Sequence, residues 1–351
     1  MILADLIKLG SFRIYGSTIA IIVLFIFNLF YWHRFTKKND CKPIYTLKLK
    51  DEKVFHIHTY MILVPFICLA AYGATKYVLH NPGENILSIG PLNISLYAIC
   101  VLSGALVTYY VSRWFAKKET GKPEIIDTLF IPSFAAGIIG ARLWYVVSEW
   151  DYYMADPISI LRVWEGGLAV QGGVILGALV GILYLKKMYP DQKILHFVDI
   201  VVPNILIAQA IGRWGNFFNQ EVYGDYIDAS KLKFLPSFIE NNLHLPECFD
   251  YEIVQPLFLY ESLLTTLGFI LITIVLRRLW KNRANGSLGA LYLAYYGIVR
   301  IILEPFRQDE YIMKIWGNVS QSVMMSALFI IAGVALLLVL NIRKKMVKTN
   351  E

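Results

Sequence analysis

The sequence predicts an all-α, polytopic membrane protein, and three observations carry that prediction. Of its 351 residues 57% are hydrophobic and only 17% are charged, well below the roughly one quarter charged in soluble domains. Nine stretches are long and apolar enough to cross a bilayer, at about 20 residues each. The basic residues alternate along the chain between rich and poor loops, as they do when loops lie on opposite sides of a membrane.

The predicted spans lie near residues 15–33, 57–79, 92–114, 125–148, 168–187, 194–212, 257–276, 287–305 and 321–341. The first has no A-x-A-like cleavage site and reads as a retained anchor. Residues 34–53, 113–122, 186–193, 277–283 and 343–348 hold seven, four, three, four and four Lys/Arg, two thirds of the 33 in the chain. Residues 80–91 hold none, and 149–167 hold only Arg162. Positive-inside logic then places the N-terminus outside and the C-terminus in the cytoplasm. The net charge of +7 is thus an orientation signal touching anionic lipid, with no call for nucleic acid. Four cysteines form no C-x-x-C, six histidines no H-x-x-x-H, and no metal or cofactor is expected.

Two parts stand out along the chain. Residues 1–85 carry two spans and a Lys-rich loop without a cluster of polar residues suited to catalysis. Residues 213–256 are the longest stretch between spans and include the amphipathic LPSFIENNL; such a segment covers the mouth of a site or lies on the interface. Trp144, Tyr145, Trp150, Tyr152 and Tyr153 read as an interfacial aromatic belt. No internal repeat supports an inverted-repeat transporter.

Ionisable groups inside spans carry the functional signal, because an arginine at the bilayer centre costs about 2.5–3.5 kcal/mol on insertion scales. Arg142, Arg213, Arg300 and Glu304 all fall in the outward halves of their predicted helices, and one outward-facing polar cavity is expected to gather them. Arg300, Glu304 and Arg307 follow i, i+4, i+7 spacing on one face. Two arginines facing one glutamate leave a spare guanidinium, whose best planar, bidentate partner is phosphate. GRWGNFFNQEVYG, residues 212–224, adds Arg213, Asn216, Asn219 and Glu221. It reads as a cap, a hydrogen-bond knot or an anion site, with Gly212 and Gly215 allowing a sharp turn or close approach. WEGGLAVQGGVILG, residues 164–177, places Gln171 between two Gly-Gly pairs, which permit close packing or a re-entrant bend.

GRWGNFFNQEVYG closely resembles the G-R-x-G-N-F-x-N-x-E-x-x-G signature of prolipoprotein diacylglyceryl transferases. The similarity extends through IGPLNISLYAI, IGARLWY, DPISILRVWEGGLAVQGG, FVDIVVP, QPLFLYES and LGALYLAYYGIVRIILEPFRQ, over roughly residues 88–341. It implies a seven-span core, residues 86–351, to which residues 1–85 are an N-terminal extension. The family moves a diacylglyceryl group from phosphatidylglycerol to the lipobox cysteine thiol of a prolipoprotein at the outer face of the bacterial cytoplasmic membrane, releasing glycerol 1-phosphate. By resemblance Arg213, Arg300, Glu221, Glu304 and Gln171 are catalytic positions. Tyr97, Arg142, Gly172, Asn216, Asn219, Gly224, Tyr260, Glu261, Tyr296 and Arg307 contact the substrates, and a monomer without cofactor is expected. Many members have histidine at the position of Gln171, and some at Gln255. Glutamine takes no proton near neutral pH, so Glu221, Glu304 or a phosphate oxygen of the donor is left as base. A lipid-binding homologue disarmed by these glutamines, or an anion transporter, is the competing reading.

Overall fold

The computed structural model describes residues 92–349, apart from residues 164–165, 246, 250, 310–311, 313 and 316–318, and five short strands nearer the N-terminus over residues 7–9, 12–14, 45–48, 54–57 and 86–89. The predicted spans 15–33 and 57–79 lie outside the described residues, save Ile57. Seven described helices are long and apolar enough to cross a membrane. They are α1 (Leu96–Thr120), α2 (Glu124–Ser148), α3 (Val170–Met188), α4 (Ile194–Asn219), α5 (Leu257–Leu279), α6 (Ser287–Phe306) and α7 (Gln321–Val347). Helices suit a bilayer because each satisfies its own backbone polar groups.

Two boundaries differ from expectation. Helix α1 starts at Leu96, because Leu92–Ser95 pairs as an antiparallel strand with Ile86–Ile89. Helix α4 continues through GRWGNFFN to Asn219, so Gly212 and Gly215 sit inside a helix and make no turn. The reversal comes at Gln220 and Val222, both left-handed at φ 52° and 60°. A β-branched residue there is strained. Inside α4 a 3₁₀ turn, Val202–Asn204, falls at Pro203, which lacks an N–H to continue the ladder.

The chain forms two compact units, residues 109–201 and residues 1–108 with 202–351. In the first, α2 and α3 meet through glycines. A Cβ on Gly140 would lie 2.4 Å from the Gly172 carbonyl oxygen, and one on Gly172 would lie 2.1 Å from that of Gly140. Gly137 and Gly173 repeat the contact one turn along, with 3.1 Å from a Gly173 Cβ to the Gly137 oxygen. Backbones approach this closely in membranes where small residues line the contact. At the other end of these helices Asp127 accepts from Tyr109 Oη at 2.6 Å and Arg113 Nε at 2.8 Å.

In the second unit α4, α5, α6 and α7 pack by the same device. Gly215 lies against the Tyr97 ring, Gly268 against Tyr295, and Gly297 against α7 at Ser326 and Ile330. Between α4 and α5 the chain folds into a small extramembrane cap. Tyr226–Asp228 pairs antiparallel with Glu252–Val254, and Ser237–Leu243 is helical, its Ile239 and Leu243 buried with Leu96, Phe217, Ile253 and Phe258. Fully buried Asn242 donates to the Phe217 carbonyl at 2.7 Å and accepts from Gln220 Nε2 at 3.0 Å. It thereby adds to the closure of the C-terminus of α4, where the Gln220 and Glu221 N–H groups already meet the Phe217 and Asn216 carbonyls.

The α2–α3 contact predicts that Gly172→Ala destabilises the protein by about 1–3 kcal/mol through overpacking, lowering its unfolding temperature in detergent. Gly212→Ala, with nothing within 4 Å of the added carbon, should leave that temperature unchanged.

Candidate active site

The polar groups of the second unit gather at one end of its spans. Glu261 stands one turn into α5, and Arg213 near the C-terminal end of α4. Their opposite charges lie 2.6 Å apart, from Nη2 to Oε1. Arg300, near the C-terminal end of α6, approaches the other oxygen of Glu261 at 3.5 Å and Glu304 Oε2 at 3.2 Å. Arg307 reaches the same Glu304 oxygen at 4.0 Å, and Ser320 Oγ hydrogen-bonds Oε1. Ser322 Oγ, in the first turn of α7, accepts from Arg300 Nη2 at 3.1 Å. On the other flank Arg213 Nη1 donates to Asn216 Oδ1 at 3.3 Å, and Asn216 Nδ2 donates to Glu221 Oε1 at 3.0 Å. The result is one string of side chains, Glu221–Asn216–Arg213–Glu261–Arg300–Glu304–Arg307.

Glu221 is the third carboxylate of the string but reaches Arg213 only through Asn216, so within the directly contacting stretch Arg213–Glu261–Arg300–Glu304–Arg307 the arginines outnumber the carboxylates. Three arginines share Glu261 and Glu304, and both carboxylates are almost sealed, with 3% and 6% of their side-chain surface exposed. Of the three arginine side chains Arg213 is the most exposed at 25%, against 11% for Arg300 and 16% for Arg307. The Arg307 Nε is buried without a hydrogen-bond partner among the described residues. Just beyond the span, Arg307 is held below the usual arginine range, by burial first and the nearby Arg300 charge second. Both terminal nitrogens of Arg213 have partners, Asn216 on Nη1 and Glu261 on Nη2, and guanidinium groups in such a setting suit carboxylate or phosphate chemically.

The structure brings most of the sequence-selected residues together, with pairings of its own. Glu221 holds Asn216, and Glu261 is the counter-ion of Arg213. Arg307 leaves the α6 face, since the helix tightens to 3₁₀ at Glu304–Phe306 and the chain becomes extended at Arg307. Gly224 acts through its backbone: it bridges to Arg307, donates to the Gln255 carbonyl at 3.2 Å, and would place a Cβ 2.7 Å from the Phe306 oxygen. Tyr97 lies within electrostatic reach of Arg213 and Glu221, and Tyr296 of Arg213. Asn219 ends α4 without a hydrogen bond among the described residues, and Tyr260 packs with Leu257, Val299 and Leu303. Ser320 and Ser322 were missed; only their place at the start of a span, ahead of a long apolar run, hinted at a buried role.

Arg142, Gln171 and Gly172 belong to the other unit. Arg142 is buried, and all five of its N–H groups point at backbone carbonyls of the 159–167 loop. Nε reaches Ile160 at 2.9 Å, Nη1 reaches Gly166 and Gly167 at 2.6 and 2.9 Å, and Nη2 reaches Ser159 and Arg162 at 2.5 and 3.3 Å. Its cation also lies 4.9 Å from the Tyr153 ring centre. That arrangement clamps a loop and leaves no donor for a ligand. It also buries Tyr153, expected in the aromatic belt, while Trp144, Trp150 and Tyr152 are exposed. Gly172 is used in the α2–α3 contact, and Gln171 lies exposed in the first turn of α3.

Fold and site together define a polytopic α-helical membrane protein with a cluster of arginines and glutamates near one end of its spans. The chain belongs to the prolipoprotein diacylglyceryl transferase family, which it matches over residues 84–339. Similar proteins include a phosphatidylglycerol–prolipoprotein diacylglyceryl transferase of Streptococcus pneumoniae (strain ATCC 700669 / Spain 23F-1), 40% identical over 262 residues, or 74% of this chain and 94% of that protein. Another so named, from Streptococcus pyogenes serotype M5 (strain Manfredo), is 43% identical over 248 residues, covering 70% and 91%.

Glu261→Ala would leave Arg213 and Arg300 adjacent without their shared carboxylate. Removing one member of a buried ion pair costs about 3–5 kcal/mol, so thermal unfolding in detergent should show a large loss of stability. Glu261→Gln should lose less, because the amide oxygen still accepts from an arginine.

Proposed function

We propose that this chain transfers the sn-1,2-diacylglyceryl group of phosphatidylglycerol to the lipobox cysteine thiol of a prolipoprotein, the first step of bacterial lipoprotein maturation. The observation that carries this reading is the surplus guanidinium of the Arg213–Glu261–Arg300–Glu304–Arg307 string in a member of this family. The thiol sulfur attacks the glyceryl carbon that bears the phosphate; a C–S bond forms and the C–O bond breaks. The electron pair leaves on the phosphate of glycerol 1-phosphate, where charge grows. Fixed donors aimed at such oxygens stabilise the transition state most in a water-poor site. Arg213, the most exposed of the three side chains, meets the leaving phosphate, and Arg300 and Arg307 complete the positive wall of an outward-facing cavity.

The thiol proton needs an acceptor, since the thiolate is the nucleophile. Glu304 is engaged by two arginines and Ser320, whereas no cation pairs with Glu221 among the described residues. Glu221 is therefore the better base, and Gln171 needs no proton-transfer role.

Connectivity supports an outer-face site. The basic stretches 113–122, 186–193, 277–283 and 343–348 follow α1, α3, α5 and α7. The arginine cluster stands at the opposite ends of α4, α5 and α6. Positive-inside orientation then sets the cluster toward the outer leaflet, with the C-terminus in the cytoplasm and two further spans bringing the N-terminus outside.

The test uses membranes containing the protein, isotope-labelled phosphatidylglycerol and a lipobox peptide, with the diacylglyceryl peptide detected by mass. Wild type should form it; absence of product with bound lipid would favour a disarmed lipid-binding homologue. Arg213→Ala and Glu221→Gln should each lower turnover by about 10²–10³, the range for losing one charge-stabilising or proton-transfer group. Arg213→Lys should be nearly as damaging as alanine, because a point charge does not reproduce the fork. Residues 1–85 form a separate extension in this reading, so a chain beginning near Pro82 should retain activity once inserted. An inserted but inactive truncation would give the extension a catalytic part.

A further inference from the structure

The arginine cluster continues toward the bilayer centre in a polar ladder that the phosphate chemistry does not use. On α4, Gln209 lies one turn below Arg213. On α6, Tyr296 and Tyr292 lie one and two turns below Arg300, a turn being about 5.4 Å. The two helices meet through this ladder: Gln209 Nε2 donates to Tyr292 Oη at 3.2 Å, and the Tyr292 and Tyr296 rings stack, 6.1 Å apart and 4° from parallel. None of the three is fully buried. The oxygen of the Gln209 amide is buried without a hydrogen-bond partner among the described residues. An amide and two phenols this deep in an apolar helix pair are costly unless something polar completes them.

From this ladder we infer that Gln209 and Tyr292, with Tyr296 above them, bind the acyl-ester carbonyls of the donor lipid and make the enzyme prefer ester-linked over ether-linked phosphatidylglycerol. This rests on the transferase reading of the arginine cluster and extends it downward. A phospholipid whose phosphate meets Arg213 must place its glycerol backbone, and then its two esters, deeper along the same helices. Ester carbonyls are acceptors only, so the site must supply donors. Turning the Gln209 amide about its last bond is nearly isosteric. It then accepts the Tyr292 hydroxyl on oxygen and frees two N–H groups for carbonyls. That orientation leaves no orphaned atom when the lipid is bound. An ether lipid has no carbonyl and leaves those donors unmet, the situation in which polar sites discriminate most strongly.

The experiment compares ester- and ether-linked phosphatidylglycerol of matched chain length, by thioether formation and by lipid retention in native mass spectrometry. Wild type should favour the ester donor about tenfold or more in kcat/KM, as expected from one unmet hydrogen bond. Gln209→Leu and Tyr292→Phe should bring that ratio toward one, with unfolding temperatures confirming that both variants are folded. A wild-type ratio near one, or variants that lose both donors equally, overturns the inference and leaves the transferase reading intact. Lipid retention with ester preference but no thioether product separates the two: the ladder stands and the transferase reading falls.

Discussion

Glu261 is the group on which the second unit depends. A guanidinium inside a bilayer demands a carboxylate, and Arg213 and Arg300 come from different helices yet share this one. Coulomb attraction at such short range outweighs the desolvation of the pair only when geometry is good and the remaining lone pairs are met. The helices must therefore dock where both arginines reach it. Glu304 repeats the arrangement between Arg300 and Arg307, with Ser320 filling its second oxygen. The ion network thus fixes how α4, α5, α6 and the start of α7 meet.

Close packing supplies the rigidity that this network needs. Glycine lets α4 approach Tyr97 and lets α6 approach α7, so helices sit near enough for short side-chain contacts. The extramembrane cap continues the same logic in water. Its backbone is stitched to the end of α6: Asp225 donates to the Phe306 carbonyl at 3.1 Å, and Gln308 to that of Tyr223 at 3.4 Å. Left-handed Gln220 and Val222 would relax if free, but Asn242 and the Leu257–Val299–Leu303 cluster hold them. The strained turn carries Glu221 back to Asn216, which is the geometry the proposed proton transfer uses.

An incomplete charge balance links this architecture to chemistry. A fully paired network would be inert, whereas three guanidiniums on two sealed carboxylates retain affinity for a further anion. In the proposed reaction the dianionic leaving phosphate satisfies that demand better than the monoanionic diester does, which is how this cluster would favour the transition state over the ground state. Replacement of the family histidine by Gln171 is tolerable in this scheme, because neither phosphate stabilisation nor the proposed base depends on it.

Much of this was written locally in the chain. Seven of the nine predicted spans match described helices, and Arg213, Asn216, Glu221, Arg300, Glu304 and Arg307 are picked out by charge in apolar runs and a thirteen-residue signature, because the cost of burying a charge is paid wherever it occurs. Partnership was decided only in three dimensions. Nothing local says that Arg213 pairs with Glu261 rather than Glu221, that Arg142 is consumed by five carbonyls, or that the turn after α4 falls at Gln220 and Val222 instead of the glycines. Helix ends and ion pairs depend on what the neighbouring helix presents, and contacts between residues tens of positions apart carry no periodicity for a sequence to display.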